Sequence, residues 1–131
     1  MWILEGKMSK TTIKDYELFQ KWVRHYFQLL GLTEWELYFE HIQLEGKYAE
    51  SYYKVSDGLC TIVLAKTWDN MRKKDAQSIQ SVALHETLHI LMAPLTAEAG
   101  ERYTNQLSID TAEHLIIRRL EKLVSTEATN E

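Results

Sequence analysis

From Ile79 to Met92 the sequence sets Ile79, Val82, Ala83, Leu84, Leu88, Ile90, Leu91 and Met92 so that apolar side chains cover most of a helix circumference. A helix apolar on nearly all sides belongs at the centre of a domain, with the rest of the chain wrapped on it. The same stretch holds His85, Glu86 and His89, whose burial is costly unless they are paired or bound to a metal. The pattern predicts a helix from about Met71 to Ala93, ended by Pro94 because the residue before a proline is pushed out of the helical region. One element therefore has to supply both the core and the chemistry.

The chain has 131 residues, of which 45% are hydrophobic. A chain of that size buries about two-thirds of its unfolded surface, so one core stands without disulfides or a structural ion, and any metal has a functional role. A single domain over 1–131 is expected, with 1–10 and 125–131 as flexible tails and Met8-Ser9 as an alternative start. Fifteen Lys and Arg against nineteen Asp and Glu give a net charge of -4 without long runs of either sign, which is not the footprint of a nucleic-acid binder. No stretch approaches the ~20 apolar residues of a membrane span. Cys60 is the single cysteine and no basic segment leads into an apolar run at the N-terminus, so the expected compartment is the cytoplasm.

Around the central helix the periods change in a readable order. Tyr16, Phe19, Val23, Tyr26, Phe27 and Leu30 recur at helical spacing, with Thr11 or Thr12 as N-cap and Gly31 as C-cap, which predicts a helix from about Thr12 to Leu30. Trp35, Leu37, Phe39 and His41 then alternate with polar residues as a strand. Tyr48 to Ser56 and Leu59 to Lys66 flank Asp57-Gly58, which predicts a type I′ hairpin pairing Ser56 with Leu59, Tyr53 with Ile62 and Ser51 with Leu64. After a polar connection from Leu95 to Tyr103, a last helix spans about Asn105 to Val124. The expected fold is α+β: an N-terminal helix and the central helix on one face of a small, mostly antiparallel three-stranded sheet, with the last helix closing a metal site. His25 reads as a surface residue, His41 as a structural one, and Cys60 as a small buried hydrophobe.

His85-Glu86-Thr87-Leu88-His89 is an HExxH pattern. At 100° per residue His89 lies about 40° round from His85 and one turn along, so both imidazoles can reach one tetrahedral zinc ion. Glu86 falls on their flank, where a carboxylate can accept a proton from a metal-bound water without crowding the metal. Zinc needs a further ligand. Glu113 lies on the apolar stripe of Ile109, Ile116, Ile117 and Leu120, and a glutamate buried there would be an unpaired charge unless zinc neutralised it. Glu113 is therefore the expected third ligand, ahead of His114, which turns toward Arg118 and Glu121, and of Asp110 on the outer flank.

HETLH, the strand Thr61 to Ala65 before it, the Pro94-Leu95 pair after it and the Glu113-His114 pair of the last helix together resemble the minimal gluzincin-like metallopeptidases of the ImmA/IrrE type. The similarity is greatest to the short single-domain members found in phages and prophages, and it covers roughly residues 35 to 124. It implies a minimal zincin-like fold, with His85, His89 and Glu113 as zinc ligands and Glu86 as catalytic base. The longer relatives follow their third ligand with a small residue and asparagine where this chain has His114-Leu115, so Glu113 and His114 both stay open as the ligand.

The function expected on these grounds is zinc-dependent hydrolysis of a protein or peptide. Glu86 is the general base, and Tyr103, Tyr52 or His114 the candidates to stabilise the oxyanion. Cys60 to Lys66 is the expected strand edge for an extended peptide, with Tyr52 or Val63 contacting its side chains. The alternatives are a catalytically silent, zinc-stabilised phage assembly or regulatory factor, and a small helical binding module with no metal.

Overall fold

The computed structural model describes residues 8–100 and 106–130. In chain order the elements are β1 (Met8–Lys10), α1 (Ile13–Leu29), β2 (Glu36–Ile42), β3 (Ala49–Lys54), a short 3-10 turn (Val55–Asp57), β4 (Leu59–Ala65), β5 (Thr67–Asp69), α2 (Ala76–Gly100) and α3 (Gln106–Asn130). The α+β class and the three helices agree with the sequence reading. None of the described helices is long and apolar enough to cross a membrane.

Helix α1 starts and stops on local signals. Thr12 caps it, its hydroxyl accepting from Asp15 N at 3.1 Å while the Asp15 carboxylate accepts from Thr12 N at 2.8 Å. At the other end Gly31 takes φ 69, with Gly31 N donating to Gln28 O and Leu32 N to Phe27 O, the paired bonds of a Schellman stop.

The main sheet has the order β2-β4-β3, with β3 antiparallel and β2 parallel to β4. It is mixed rather than mostly antiparallel, and hydrophobicity explains why. Leu59–Ala65 is a nearly continuous apolar run, buried on both faces, and such a run takes the centre, whereas the alternating strands β2 and β3 take the edges. The expected free edge at Cys60 to Lys66 is thus wrong: β4 is paired on both sides, and β3 carries an outer edge.

The β3–β4 hairpin exists, but its register is two residues from the expected one: Lys54 pairs with Leu59, Tyr53 with Cys60 and Ser51 with Ile62. A type I′ turn needs positive φ at both loop residues, and here Gly58 alone has it, φ 66. Val55–Asp57 wind into the 3-10 turn instead, and Gly58 N returns to Val55 O at 3.1 Å. A shift of two keeps every side chain on its predicted face.

Phe19, Val23 and Phe27 of α1 and Ile79, Val82, Ala83 and Ile90 of α2 pack with Cys60, Ile62 and Leu64 on one face of the sheet. Helix α3 joins through a smaller cluster of Tyr26, Leu84, Leu88 and Ile117. His41, as expected, is structural: its Nε2 lies 2.6 Å from Thr11 Oγ1 and its ring stacks on Tyr16 at 4.7 Å.

Three further boundaries differ from the sequence reading. Met8–Lys10, placed in the expected N-terminal tail, pairs with Thr67–Asp69 as a second small sheet. Helix α2 begins at Ala76, where Asp75 Oδ1 accepts from Ser78 N at 2.8 Å, and runs through Pro94 to Gly100. The proline forfeits one backbone bond and costs about 3 kcal/mol, yet the turn beyond it is anchored by Thr96, whose hydroxyl donates to Glu113 Oε2 at 2.9 Å. Helix α3 likewise continues past Val124, through part of the expected C-terminal tail.

Candidate metal centre

Helix α2 brings His85 and His89 to its surface one turn apart, their ring centroids 5.0 Å from each other. Helix α3 crosses beside them and adds His114, whose ring centroid is 5.9 Å from that of His85 and 5.2 Å from that of His89. Each imidazole offers a ligand nitrogen, and these nitrogens lie within 4.8 Å of one another. Ligand nitrogens around a tetrahedral zinc ion sit about 3.4 Å apart, a distance small side-chain rotations supply. The three histidines are close enough to bind a metal ion.

Each histidine has one ring nitrogen already engaged by a partner on α3. His85 Nδ1 is 3.1 Å from Glu121 Oε1, His89 Nδ1 is 3.2 Å from Glu113 Oε1, and His114 Nδ1 donates to Asp110 O at 2.8 Å. This leaves the Nε2 atoms for a ligand role, oriented by carboxylates and a carbonyl as metal-bound histidines commonly are. The Glu121 carboxylate, against the opposing effect of burial, holds the His85 pKa above its ordinary value. His89 moves the other way, because burial and then the neighbouring His85 and His114 disfavour its charged form more than Glu86 and Glu113 favour it.

The histidine cluster and the expected third ligand, Glu113, occupy neighbouring positions on α3. Glu113 is buried, as its place on the apolar stripe implies, but its oxygens serve His89 Nδ1 and the Thr96 hydroxyl, and His114 rather than Glu113 joins His85 and His89. On α3 the buried position and the one that completes the histidine cluster are therefore different residues. The histidine pair sits at the rim of the α2–α3 interface, with His85 still 33% exposed, so the residue that meets it is on the flank of α3, one step round from the buried stripe.

Glu86 is 7% exposed and is held from the sheet. The Ser51 hydroxyl lies 2.6 Å from Glu86 Oε1 and 3.0 Å from its backbone oxygen, which ties β3 to the HExxH turn. Thr87, fully buried, returns its hydroxyl to Ala83 O at 2.8 Å and so leaves no polar atom unmet. A cavity of about 490 Å³ opens over this group, walled by Ser51 and Tyr53 from β3 and by the three histidines and Glu86. Of the candidates to stabilise an oxyanion, His114 belongs to the cluster, Tyr52 projects from the opposite face of the sheet and donates to Glu50, and Tyr103 lies outside the described residues.

Sequence reasoning missed Ser51, Tyr53, Glu121 and Thr96. Glu121 did carry a signal: it is the residue toward which His114 was expected to turn on the flank of α3. Ser51 and Tyr53 carried only their alternation in β3, which fixes a face and not a neighbour.

Comparison of the chain with protein-family models, with curated proteins and with solved structures found no match. The site therefore stands on its own chemistry.

Proposed function

We propose that the chain is a zinc-dependent metallopeptidase in which His85, His89 and His114 hold the ion and Glu86 is the general base. One observation carries this reading: three imidazoles with their Nδ1 atoms engaged meet beside a buried carboxylate, at the wall of an open cleft. Imidazole donors suit zinc, and three protein ligands leave a position open, the pattern of catalytic rather than structural sites. A bound ion supplies the Lewis acid that polarises a carbonyl and acidifies water.

The chain's own residues do the rest. Glu86, kept out of the histidine set by its bond to Ser51, takes a proton from the attacking water and returns it to the leaving amine. The Tyr53 phenol, in the cleft wall, is the candidate donor to the developing oxyanion. The outer edge of β3 offers backbone groups along which an extended peptide can lie.

The test is Glu86→Gln. The variant should retain one zinc per chain by metal analysis and lose peptide cleavage by several orders of magnitude against a diverse peptide mixture. Cleavage surviving unchanged would remove Glu86 from the mechanism. Absence of cleavage by the zinc-loaded wild type would favour a catalytically silent, zinc-stabilised interaction protein.

A further inference from the structure

We infer that the substrate of this cleft presents a carboxylate, received by Arg72 at the end of the cleft beyond His85. The inference rests on the metallopeptidase reading and adds the class of group the site selects.

A second cavity, of about 270 Å³, opens on the His85 side of the cluster. It shares Lys47, Ala49, His85 and Glu86 with the larger one, so the two form a continuous trough, and Arg72 lies in its far wall. The Arg72 guanidinium lies over the Tyr48 ring, 5.4 Å from its centroid. That ring is itself fixed: Tyr48 OH donates to Asp69 Oδ1 at 2.7 Å, its edge packs on the fully buried Trp68 at 4.9 Å, and Trp68 Nε1 donates to Tyr48 O at 3.1 Å. Stacking positions a guanidinium while leaving its N–H edge free to donate.

The other charges of the trough are already matched. Lys47 pairs with Glu50, Glu121 with His85 Nδ1, and Glu86 takes the Ser51 hydroxyl. Among the described residues no carboxylate lies within ion-pair distance of Arg72. A half-buried, pre-oriented guanidinium with no carboxylate partner among the described residues is complementary to a planar carboxylate, which it can hold through two parallel bonds. In a peptide that group is either an acidic side chain or the C-terminus.

Three hydroxamate-capped dipeptide amides or acids separate these cases: one with an aspartate side chain and an amidated end, one with asparagine and a free C-terminus, and one with asparagine and an amidated end. Their dissociation constants are measured on the zinc-loaded wild type, Arg72→Gln and Arg72→Lys, with metal content determined for each protein. One acidic probe should bind the wild type about tenfold more tightly than the neutral one, as a charge-assisted pair at a half-buried site allows, and the ratio should shrink with added salt. It should fall to near one in Arg72→Gln and lie between in Arg72→Lys, which keeps the charge without the fork. Equal binding of all three probes by the wild type, or a ratio that survives Arg72→Gln, overturns the inference and leaves the metallopeptidase reading in place. Failure of every probe to bind the zinc-loaded wild type overturns the open-site reading and this inference with it.

Discussion

Each imidazole of the cluster meets a different partner on α3, and the two carboxylates among them are separable by mutation. On the proposed ligand set His114→Ala removes a ligand, so zinc affinity should fall by orders of magnitude, whereas Glu113→Gln removes only the group orienting His89 and should cost about 10- to 100-fold. A paired zinc titration decides, and the opposite order would restore Glu113 to the ligand set. The HExxH residues were legible because spacing on one helix fixes their relation; the third histidine of the cluster was not, because it depends on how α3 crosses α2, which no local pattern encodes. His41 lends itself to a second measurement. Burial first, and then the Lys66 ammonium, hold its pKa below the ordinary 6.5, against the pull of Asp15. The unfolded chain therefore binds the proton more readily than the native one, and the stability His41 contributes is present above pH 6.5 and lost as the pH falls through its depressed native value. His41→Gln should flatten that part of the stability profile, read from urea unfolding at a series of pH values.

At the level of elements, caps and faces were legible and neighbours were not. The Thr12 cap, the Gly31 stop and the alternation of β2 are statements about residues a few positions apart, and the structure keeps all three. That β2 runs parallel to β4 is a statement about segments separated by a whole strand, although the unbroken apolar run Leu59–Ala65 already argued for a central position. Pro94 misled for an energetic reason: a cost of about 3 kcal/mol is large for an isolated helix and tolerable in one packed on both sides. The hairpin gives a graded test. Gly58 has φ 66, and a Cβ there would stand 3.3 Å from Glu34 O; Gly46 has φ 67 and nothing within 4 Å. Gly46→Ala should cost about 1–2 kcal/mol from backbone conformation alone, and Gly58→Ala measurably more, both by urea unfolding. Equal costs would mean that the contact between Gly58 and the Glu34 carbonyl, just ahead of β2, yields freely.

In the whole molecule the larger core lies between the sheet and helices α1 and α2, and Cys60 sits inside it, 2% exposed. Burial pushes its thiol up to about 11, so little thiolate exists at neutral pH. Labelling of native protein at pH 8 by a disulfide reagent should be slow and should track global unfolding as urea is added; rapid labelling without urea would show that the sheet opens locally. The smaller core, where Ile117 meets Tyr26, Leu84 and Leu88, is a different matter. Helix α3 docks there, and it brings His114 together with Glu113, Glu121 and the Asp110 carbonyl, all the Nδ1 partners of the cluster. An ion held by His85, His89 and His114 is then a tether between two helices. Above its dissociation constant, each tenfold rise in free ion adds about 1.4 kcal/mol to the docking of α3. Scarcity of the ion would loosen one wall of the cleft while the sheet and the first two helices stay folded, so occupancy and architecture at this site are set by the same concentration.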